Sequence, residues 1–147
     1  MKKNISVSGE LGWLKRLEFC VADLDVEVKN ISKSDVEVKE IRGQAWLIDE
    51  PSPDQKGIVY SDILGEVDRK KPIETFTYLR GPLVQSYSPG QSSHHTFEWV
   101  VKPQINTNAL FLIEAFGAPN EKDLLDHHYQ WDLVCGENIK EGGKKTD

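Results

Sequence analysis

Four histidines stand in two adjacent pairs, and they are the side chains of this sequence best suited to ligate a metal ion. One pair is His94 and His95, and the other is His127 and His128, directly preceded by Asp126. Imidazole and carboxylate groups together can hold zinc or another divalent cation. The candidate ligands are therefore His95, His127 and Asp126, with Asp123 as the alternative carboxylate.

The spacing of the histidines argues against this metal site. Neighbouring residues on a β-strand point to opposite faces, so each pair can direct only one ring towards a given ion. His95 shares its parity with Phe97 and Trp99, whereas His94 has the opposite, solvent-facing parity. We therefore expect exposed histidines at the start of strands, and neither a metal nor any other cofactor is predicted.

Carboxylates form a second group of candidate ligands, because oxygen atoms suit a hard cation such as calcium. Asp49, Glu50 and Asp54 crowd one loop, and Asp23 and Asp25 flank another bend. Their spacing matches no EF-hand loop, and charge-rich loops are commonly solvated. Solvated carboxylates are the favoured interpretation.

The four tryptophans invite a comparison with sugar-binding proteins, in which aromatic faces stack on sugar rings. Trp46, Trp99 and Trp131 have the parity of core positions in their segments, so core packing is favoured for these three. Trp13 has no evident burial partner in the sequence.

Short catalytic motifs are missing from the sequence. It contains no GxSxG, HExxH, P-loop, GxGxxG or EF-hand pattern. Neither Cys20 nor Cys135 has a base beside it in sequence that would activate a thiol nucleophile. The sequence therefore favours a non-catalytic protein over an enzyme.

The bulk composition indicates one soluble domain. The chain has 147 residues, 38% of them hydrophobic, and a formal net charge of -6. An acidic surface repels phosphate backbones, so nucleic acid is not an expected partner. No apolar stretch approaches the roughly 20 residues that cross a bilayer, and the start lacks the apolar run of a signal peptide. We expect no membrane association, and a cytoplasmic location if Met1 is the native start.

The two cysteines, Cys20 and Cys135, are expected to be reduced thiols in that setting, packed as small apolar groups. One lies near the first long strand and the other near the last. First and last strands often lie side by side in a sandwich, so a disulfide between them stays open as the alternative.

Two-residue alternation is the clearest pattern in the chain. The stretch LDVEVKN, residues 24–30, places Leu24, Val26 and Val28 on one face and charged residues on the other. SDVEVKE, residues 34–40, repeats the pattern after a turn-rich run. Such an arrangement predicts two antiparallel neighbours with one solvated face. The earlier segment 12–21 fits either a strand or a helix, and a strand is favoured because EFCV contains few helix formers.

Further strands follow in the second half of the sequence. Residues 88–91, SPGQ, predict a turn in which Gly90 takes a positive φ. ALFLIEAFG, residues 109–117, is apolar enough to be a central strand covered on both faces, with Glu114 pointing out. GAPNEKDLLDHH, residues 117–128, predicts a loop with one helical turn at 120–125. In YQWDLV, residues 129–134, the alternation predicts three inward residues, namely Tyr129, Trp131 and Leu133.

Together these segments predict an all-β, immunoglobulin-like antiparallel β-sandwich of roughly seven to nine strands, with a closed barrel as the alternative. The sandwich should occupy residues 1–136 as a single domain, with Trp46, Trp99 and Trp131 in its shared core. The polar tail 137–147 should be mobile.

The order of VKNIS, VEVKEI, AWLID, SPGQS, HTFEWVV and LFLIEAFG resembles bacterial immunoglobulin-like domains, namely the CARDB-like and telokin-like families. The resemblance covers roughly residues 24–133. It implies a binding, spacer or assembly module outside the cytoplasm, and it brings no catalytic residues.

Two classes of function follow from these observations. The first is a non-catalytic module that binds a protein partner through an exposed edge strand or through the loops at 51–57 and 119–126. The second is a jelly-roll-type domain that binds a small ligand or a metal, or hydrolyses a substrate, with its histidine pairs. The first is favoured, and self-association is left open.

Overall fold

The computed structural model describes residues 3–48, 74–77, 85–102, 107–117 and 123–136. These residues form eight β-strands and one short 3-10 turn, Val134–Gly136. The strands are β1 (Ile5–Lys15), β2 (Cys20–Asn30), β3 (Val36–Ile48), β4 (Glu74–Thr77), β5 (Gln85–Tyr87), β6 (Ser92–Val101), β7 (Asn108–Gly117) and β8 (Leu124–Leu133). The tail 137–147 and the loop 51–57 lie outside the described residues.

The strands form two antiparallel sheets. Sheet A has the order β1-β2-β6, and sheet B has the order β4-β3-β7-β8, with β5 also pairing with β3. In an immunoglobulin-type sandwich the third, sixth and seventh strands form one sheet, and the first, second, fourth and fifth form the other. With β4 and β5 as short additions to sheet B, the observed order follows that plan, except that sheet A has no counterpart of the fourth strand among the described residues. The all-β sandwich predicted from the alternation is therefore confirmed.

The core between the two sheets comes from the alternation that the sequence displays. In β2, Leu24, Val26 and Val28 are 0–1% exposed, while the residues between them turn to the other face. Phe97 and Trp99 of β6 face the same interior, and the Trp99 ring meets Phe111 of β7 edge-on at 5.7 Å between centroids. Burial of these apolar side chains is the main force that holds the sheets together.

Strands β2 and β3 are not neighbours, which corrects the pairing predicted for residues 24–30 and 34–40. β2 pairs with β1 and β6, whereas β3 pairs with β4, β5 and β7. The chain crosses between the sheets at Asn30, whose side chain is buried. Its Nδ2 donates to the carbonyls of Ser34 and Tyr87 at 2.8 Å, and its Oδ1 accepts from Ser32 N at 2.8 Å. These hydrogen bonds satisfy the buried side chain of Asn30 and hold an arch that connects the two sheets. The sequence pattern had predicted two antiparallel neighbours in one sheet.

Strand β7 is buried along its whole length between β3 and β8, as predicted for a central strand. Its inward residues pack in the core between the sheets. Its other face contributes Leu110 and Leu112 to a second apolar cluster, which also contains Trp46, Ile48 and Trp131, with Tyr129 packed against it. All members of this cluster come from sheet B.

The second cluster corrects the predicted positions of two tryptophans. Trp46 and Trp131 lie on the face of sheet B that points away from sheet A, and only Trp99 belongs to the shared core. Tyr129 and Leu133 have the parity of Trp131 and turn the same way. Alternation separates the two faces of a strand, but because both faces of β8 are partly covered, it does not show which of them meets the other sheet.

Cys20 and Cys135 form a disulfide, with 5.7 Å between their Cα atoms. The expectation of two reduced thiols is therefore wrong. Cys20 begins β2, and Cys135 follows β8 in a left-handed conformation with φ 66°. The last strand ends beside the start of β2, so the fold brings together two cysteines that are 115 residues apart.

Several local predictions can be checked directly. Residues 5–15 and 20–30 are strands, so the segment 12–21 is a hairpin. Residues 88–91 form the predicted turn, since Gln91 N donates to Ser88 O at 2.9 Å and Gly90 has φ 82°. The helical turn predicted at 120–125 is wrong for the described residues 123–125, because β8 already begins at Leu124. In the described part of the chain, no helix is long and apolar enough to cross a bilayer.

Candidate functional site

His95 lies on the inner face of β6 and is half-buried. Its Nε2 is 2.9 Å from Ser93 Oγ, and that hydroxyl is 2.6 Å from the hydroxyl of Tyr87. Burial lowers the pKa of His95, and the neighbouring His94 lowers it further. Burial raises the pKa of Tyr87 against the opposing effect of its bond to Ser93. These three side chains form a hydrogen-bonded chain at the margin of the core.

Asp126 and His127 occupy opposite faces of β8. Asp126 is buried, accepts a hydrogen bond from Val7 N at 2.6 Å, and lies 3.2 Å from Lys3 Nζ. His127 stands opposite Glu114 on the outer face of sheet B. Burial lowers the pKa of His127, and the negative charges of Asp126 and Glu114 oppose that shift.

The three candidate metal ligands therefore do not converge. His95 belongs to sheet A, and Asp126 and His127 point to opposite sides of sheet B. His128 shares the face of Asp126 and lies against the backbone of Gly9. Among the residues that the structure describes, no group of three His, Cys, Asp or Glu side chains could hold a metal ion.

The candidate calcium ligands are only partly described. Asp49, Glu50 and Asp54 lie outside the described residues. Asp23 and Asp25 are exposed on the outer face of β2, where Asp25 Oδ1 accepts a hydrogen bond from Thr96 Oγ1 at 2.9 Å.

Trp13, the tryptophan without an evident burial partner in the sequence, is also accounted for. Its ring is half-buried and packs against the core between the sheets. Its indole N–H is buried and meets no acceptor in the described part of the chain. Trp13 is therefore not an exposed platform on which a sugar ring could stack.

The outer face of sheet A holds a group of aligned charges. The register places Glu10 opposite Asp25, and Asp23 opposite Glu98. We call these four exposed carboxylates the carboxylate band. No ion pair to any of them occurs between described residues. Beside the band, Glu27 Oε2 lies 3.4 Å from His94 Nε2.

Next to the carboxylate band the same face becomes apolar. Leu14, Val21 and Val100 stand in one row across β1, β2 and β6. Leu14 is 49% exposed and Val100 is 61% exposed. The β1–β2 hairpin extends this row with Leu17, which is fully exposed, and Phe19. We call these five residues the apolar end, and together with the carboxylate band they form the docking face.

The hairpin of the apolar end also borders an open cleft. Its volume is about 890 Å³, and its described lining consists of residues 15–19. Lys15 and Arg16 add two cations to the rim and Glu18 adds one carboxylate, whereas Leu17 and Phe19 supply apolar surface. The hairpin therefore adds partly apolar surface beside sheet A.

Sequence reasoning missed the docking face, although a signal was present. Val100 has the parity opposite to that of Phe97, Trp99 and Val101, so an apolar side chain had to point outwards. Val21 breaks the alternation of β2 in the same way. Only the pairing register shows that these two valines stand side by side with Leu14.

No protein family and no curated protein matches the sequence. Solved structures match the fold. A β-glucuronidase of Bacteroides uniformis has a TM-score of 0.51 and 11% identity, with 89% of this chain and 13% of that chain covered. A calcium-binding mutant of Bacteroides uniformis β-glucuronidase 2 has a TM-score of 0.52 and 11% identity, with the same coverage.

These comparisons support the fold and nothing finer. The chain spans only 13% of the length of the enzymes it matches. At 11% identity the likeness shows an all-β sandwich domain, and it does not distinguish the CARDB-like or telokin-like families from other sandwiches.

Proposed function

We propose that this protein is a non-catalytic interaction module that binds a protein partner through the docking face of sheet A. The observation that carries the proposal is the apolar row of Leu14, Val21 and Val100 beside the exposed hairpin side chains Leu17 and Phe19. Contiguous apolar surface with a polar rim is typical of protein-binding sites.

The position of these residues strengthens the proposal. Of the five large hydrophobic residues exposed in the described part of the chain, four belong to the apolar end, namely Leu14, Leu17, Phe19 and Val100. Single exposed hydrophobic residues are ordinary on protein surfaces, but a cluster is not. The fifth, Ile31, lies just beyond the far end of β2.

The proposal places the contact on a sheet face, whereas the sequence suggested an edge strand or apical loops. The central part of the face is acidic, which keeps the apolar end from a non-specific hydrophobic contact. A partner must complement both parts at once, and such a combination favours specific binding.

We further infer an oxidising compartment as the place of action, rather than the cytoplasm expected from the sequence. The inference rests on the disulfide between Cys20 and Cys135. Disulfides persist in secreted and periplasmic proteins and are rare where thiols are kept reduced.

Comparative affinity capture from the source organism tests the docking face. The bait is the intact chain, compared with the double variant Leu14→Thr with Val100→Thr, which places β-branched side chains suited to strands at both positions. Ile31→Thr is the matched control, because it removes an exposed hydrophobic side chain at the opposite end of sheet A.

We expect a partner that is captured by the parent protein and by the Ile31→Thr control, and is depleted about tenfold with the double variant, as for the loss of central interface contacts. An identical set of captured proteins for all three baits would sink the proposal.

A further inference from the structure

We infer that the partner segment recognised by the docking face is a basic amphipathic helix, whose apolar turn covers the apolar end and whose following lysines or arginines meet the carboxylate band. This inference rests on the proposed function and adds the chemistry of the partner. It is argued from charge, from the cross-strand register and from distances along the sheet.

The carboxylate band indicates a cationic partner because its internal arrangement is unfavourable in the free protein. Glu10 faces Asp25 and Asp23 faces Glu98, so two pairs of like charges stand directly opposite each other. Such pairs destabilise a sheet. Cations on a partner would relieve this repulsion, and the complex would gain opposite-charge interactions that the free sheet lacks.

The same charges disfavour a second copy of this chain as the occupant. Face-to-face association would bring one carboxylate band close to another, on chains that each carry a net charge of -6. The cations near the apolar end are Lys15 and Arg16 of the hairpin and Lys102 after β6, and all three lie beyond the apolar row. Face-to-face pairing of two copies would therefore bring like charges together at the centre of the contact.

The dimensions of the docking face fit a single helix. Three neighbouring strands about 4.8 Å apart give a face about 10 Å wide, which is close to the diameter of an α-helix. Along the strands, the apolar row is followed by Asp23 and Glu98 after two residues, and by Glu10 and Asp25 after four. These steps correspond to about 7 Å and about 13 Å.

On a helix that lies along the strands, the same distances set the spacing of the partner sequence. With a rise of about 1.5 Å per residue, basic side chains should follow the apolar anchor after about four to five and about nine residues. Such a segment carries leucine-like residues in one turn and lysine or arginine on the same face in the next two turns.

Two synthetic helical peptides test the inference. Both carry leucines in the first turn, and the next two turns place lysines on the same face in one peptide and glutamates in the other. Binding to the intact protein is measured by calorimetry at low and at high salt. Amide and methyl NMR shifts of Leu14 and Val100 report whether each peptide occupies the apolar end.

Two double variants separate the apolar contribution from the charged one. Asp23→Asn with Glu98→Gln removes one facing carboxylate pair and leaves the apolar end unchanged. Leu14→Thr with Val100→Thr removes the apolar anchor and leaves the carboxylate band unchanged. Thermal unfolding of both variants shows whether each still folds.

We expect the lysine peptide to bind at least about tenfold more tightly than the glutamate peptide at low salt, with a smaller ratio at high salt. The charge variant should weaken binding of the lysine peptide about five- to tenfold, as for two or three exposed ion pairs. The apolar variant should weaken binding more than the charge variant does, and the peptide should no longer shift the amide signals of positions 14 and 100.

The inference of a basic helix would be overturned if the protein bound the two peptides with equal affinity and the apolar variant bound neither. In that case the docking face would still be supported. The inference would also be overturned if neither peptide bound, or if the apolar variant bound the lysine peptide as tightly as the parent protein does. The proposed function fails separately, when affinity capture shows no partner that depends on Leu14 and Val100.

Discussion

Asp23 of β2 and Glu98 of β6 stand directly opposite each other on the exposed face of sheet A, and neither makes an ion pair within the described part of the chain. Opposite charges at these two positions would stabilise the strand pair, whereas the like charges that are found there destabilise it. The repulsion is a structural property of the free protein, and its removal can be measured without any partner.

Replacing Glu98 by glutamine should raise the free energy of unfolding by about 0.2–1 kcal/mol, since the repulsion with Asp23 disappears. Urea unfolding at low salt measures the change. Glu37→Gln is the matched control, because it also removes one exposed carboxylate but faces Ser86 in the register. A Glu98→Gln protein less stable than this control would contradict the repulsion.

Replacing Gly43 by alanine should destabilise the sandwich by about 1–3 kcal/mol, the usual cost of overpacking a core. A Cβ atom at position 43 would come within 3.0 Å of the Phe97 ring and within 2.9 Å of Ile113. Gly12→Ala is the control, because its Cβ would meet only the Asp23 carbonyl, at 3.9 Å. Equal melting temperatures for the two variants would show that sheets A and B do not approach so closely at Gly43.

Replacing Cys20 and Cys135 together by serine should lower the free energy of unfolding by about 2–4 kcal/mol, because the unfolded chain loses a long covalent loop. Reduction of the parent protein should lower stability by a similar amount, and it provides the control for the substitutions themselves. Thiol titration of the unfolded, unreduced protein should detect no free thiol. Two free thiols per chain would disprove the disulfide.

Stability should decline as the medium becomes mildly acidic. Burial lowers the pKa values of His95, His127 and His128, so the folded protein binds fewer protons than the unfolded chain. Their contribution is complete above the unfolded histidine pKa of about 6.5, and it is lost as the pH falls through the lower folded values.

Urea unfolding is measured at about pH 7.5 and at about pH 5.5, because these two values bracket the ordinary histidine pKa. The difference between the two free energies of unfolding gives the decline. His128→Gln should make the decline shallower, because one buried ring no longer has to gain a proton. His94→Gln, at a position with a 72% exposed side chain, controls for the loss of an imidazole, and it should change the decline only through the smaller of the two effects on the pKa of His95. A decline that is the same for the parent protein and for His128→Gln would remove His128 from this account.

The sequence predicted the strands better than their partners. Alternation identified the inward face of β2 correctly, and the residue types of 88–91 predicted the turn around Gly90, because both depend on neighbouring residues only. The pairing of β2 with β3 was wrong, because alternation is the same for two strands of a hairpin and for two strands joined by an arch. The arch depends on the buried contacts of Asn30, which connect it to Tyr87, 57 residues further along the chain.

The docking face could not be predicted from the sequence, for a related reason. Leu14, Val21 and Val100 come from three strands, and nothing local indicates that they form one row. The histidine pairs attracted attention because their chemistry is visible in the residue types alone. The structure distributes them over two sheets instead, since neighbouring positions on a strand point apart and β6 and β8 belong to different layers.

The bond between Cys20 and Cys135 also determines how the domain would respond to mechanical tension. The loop that it closes contains β2 to β8, so a force applied on either side of that loop passes through the sulfur atoms and leaves those seven strands unloaded. Among the described strands only β1, which lies outside the loop, would peel away from sheet A. A module built in this way can yield at one edge under load while its remaining layers stay intact.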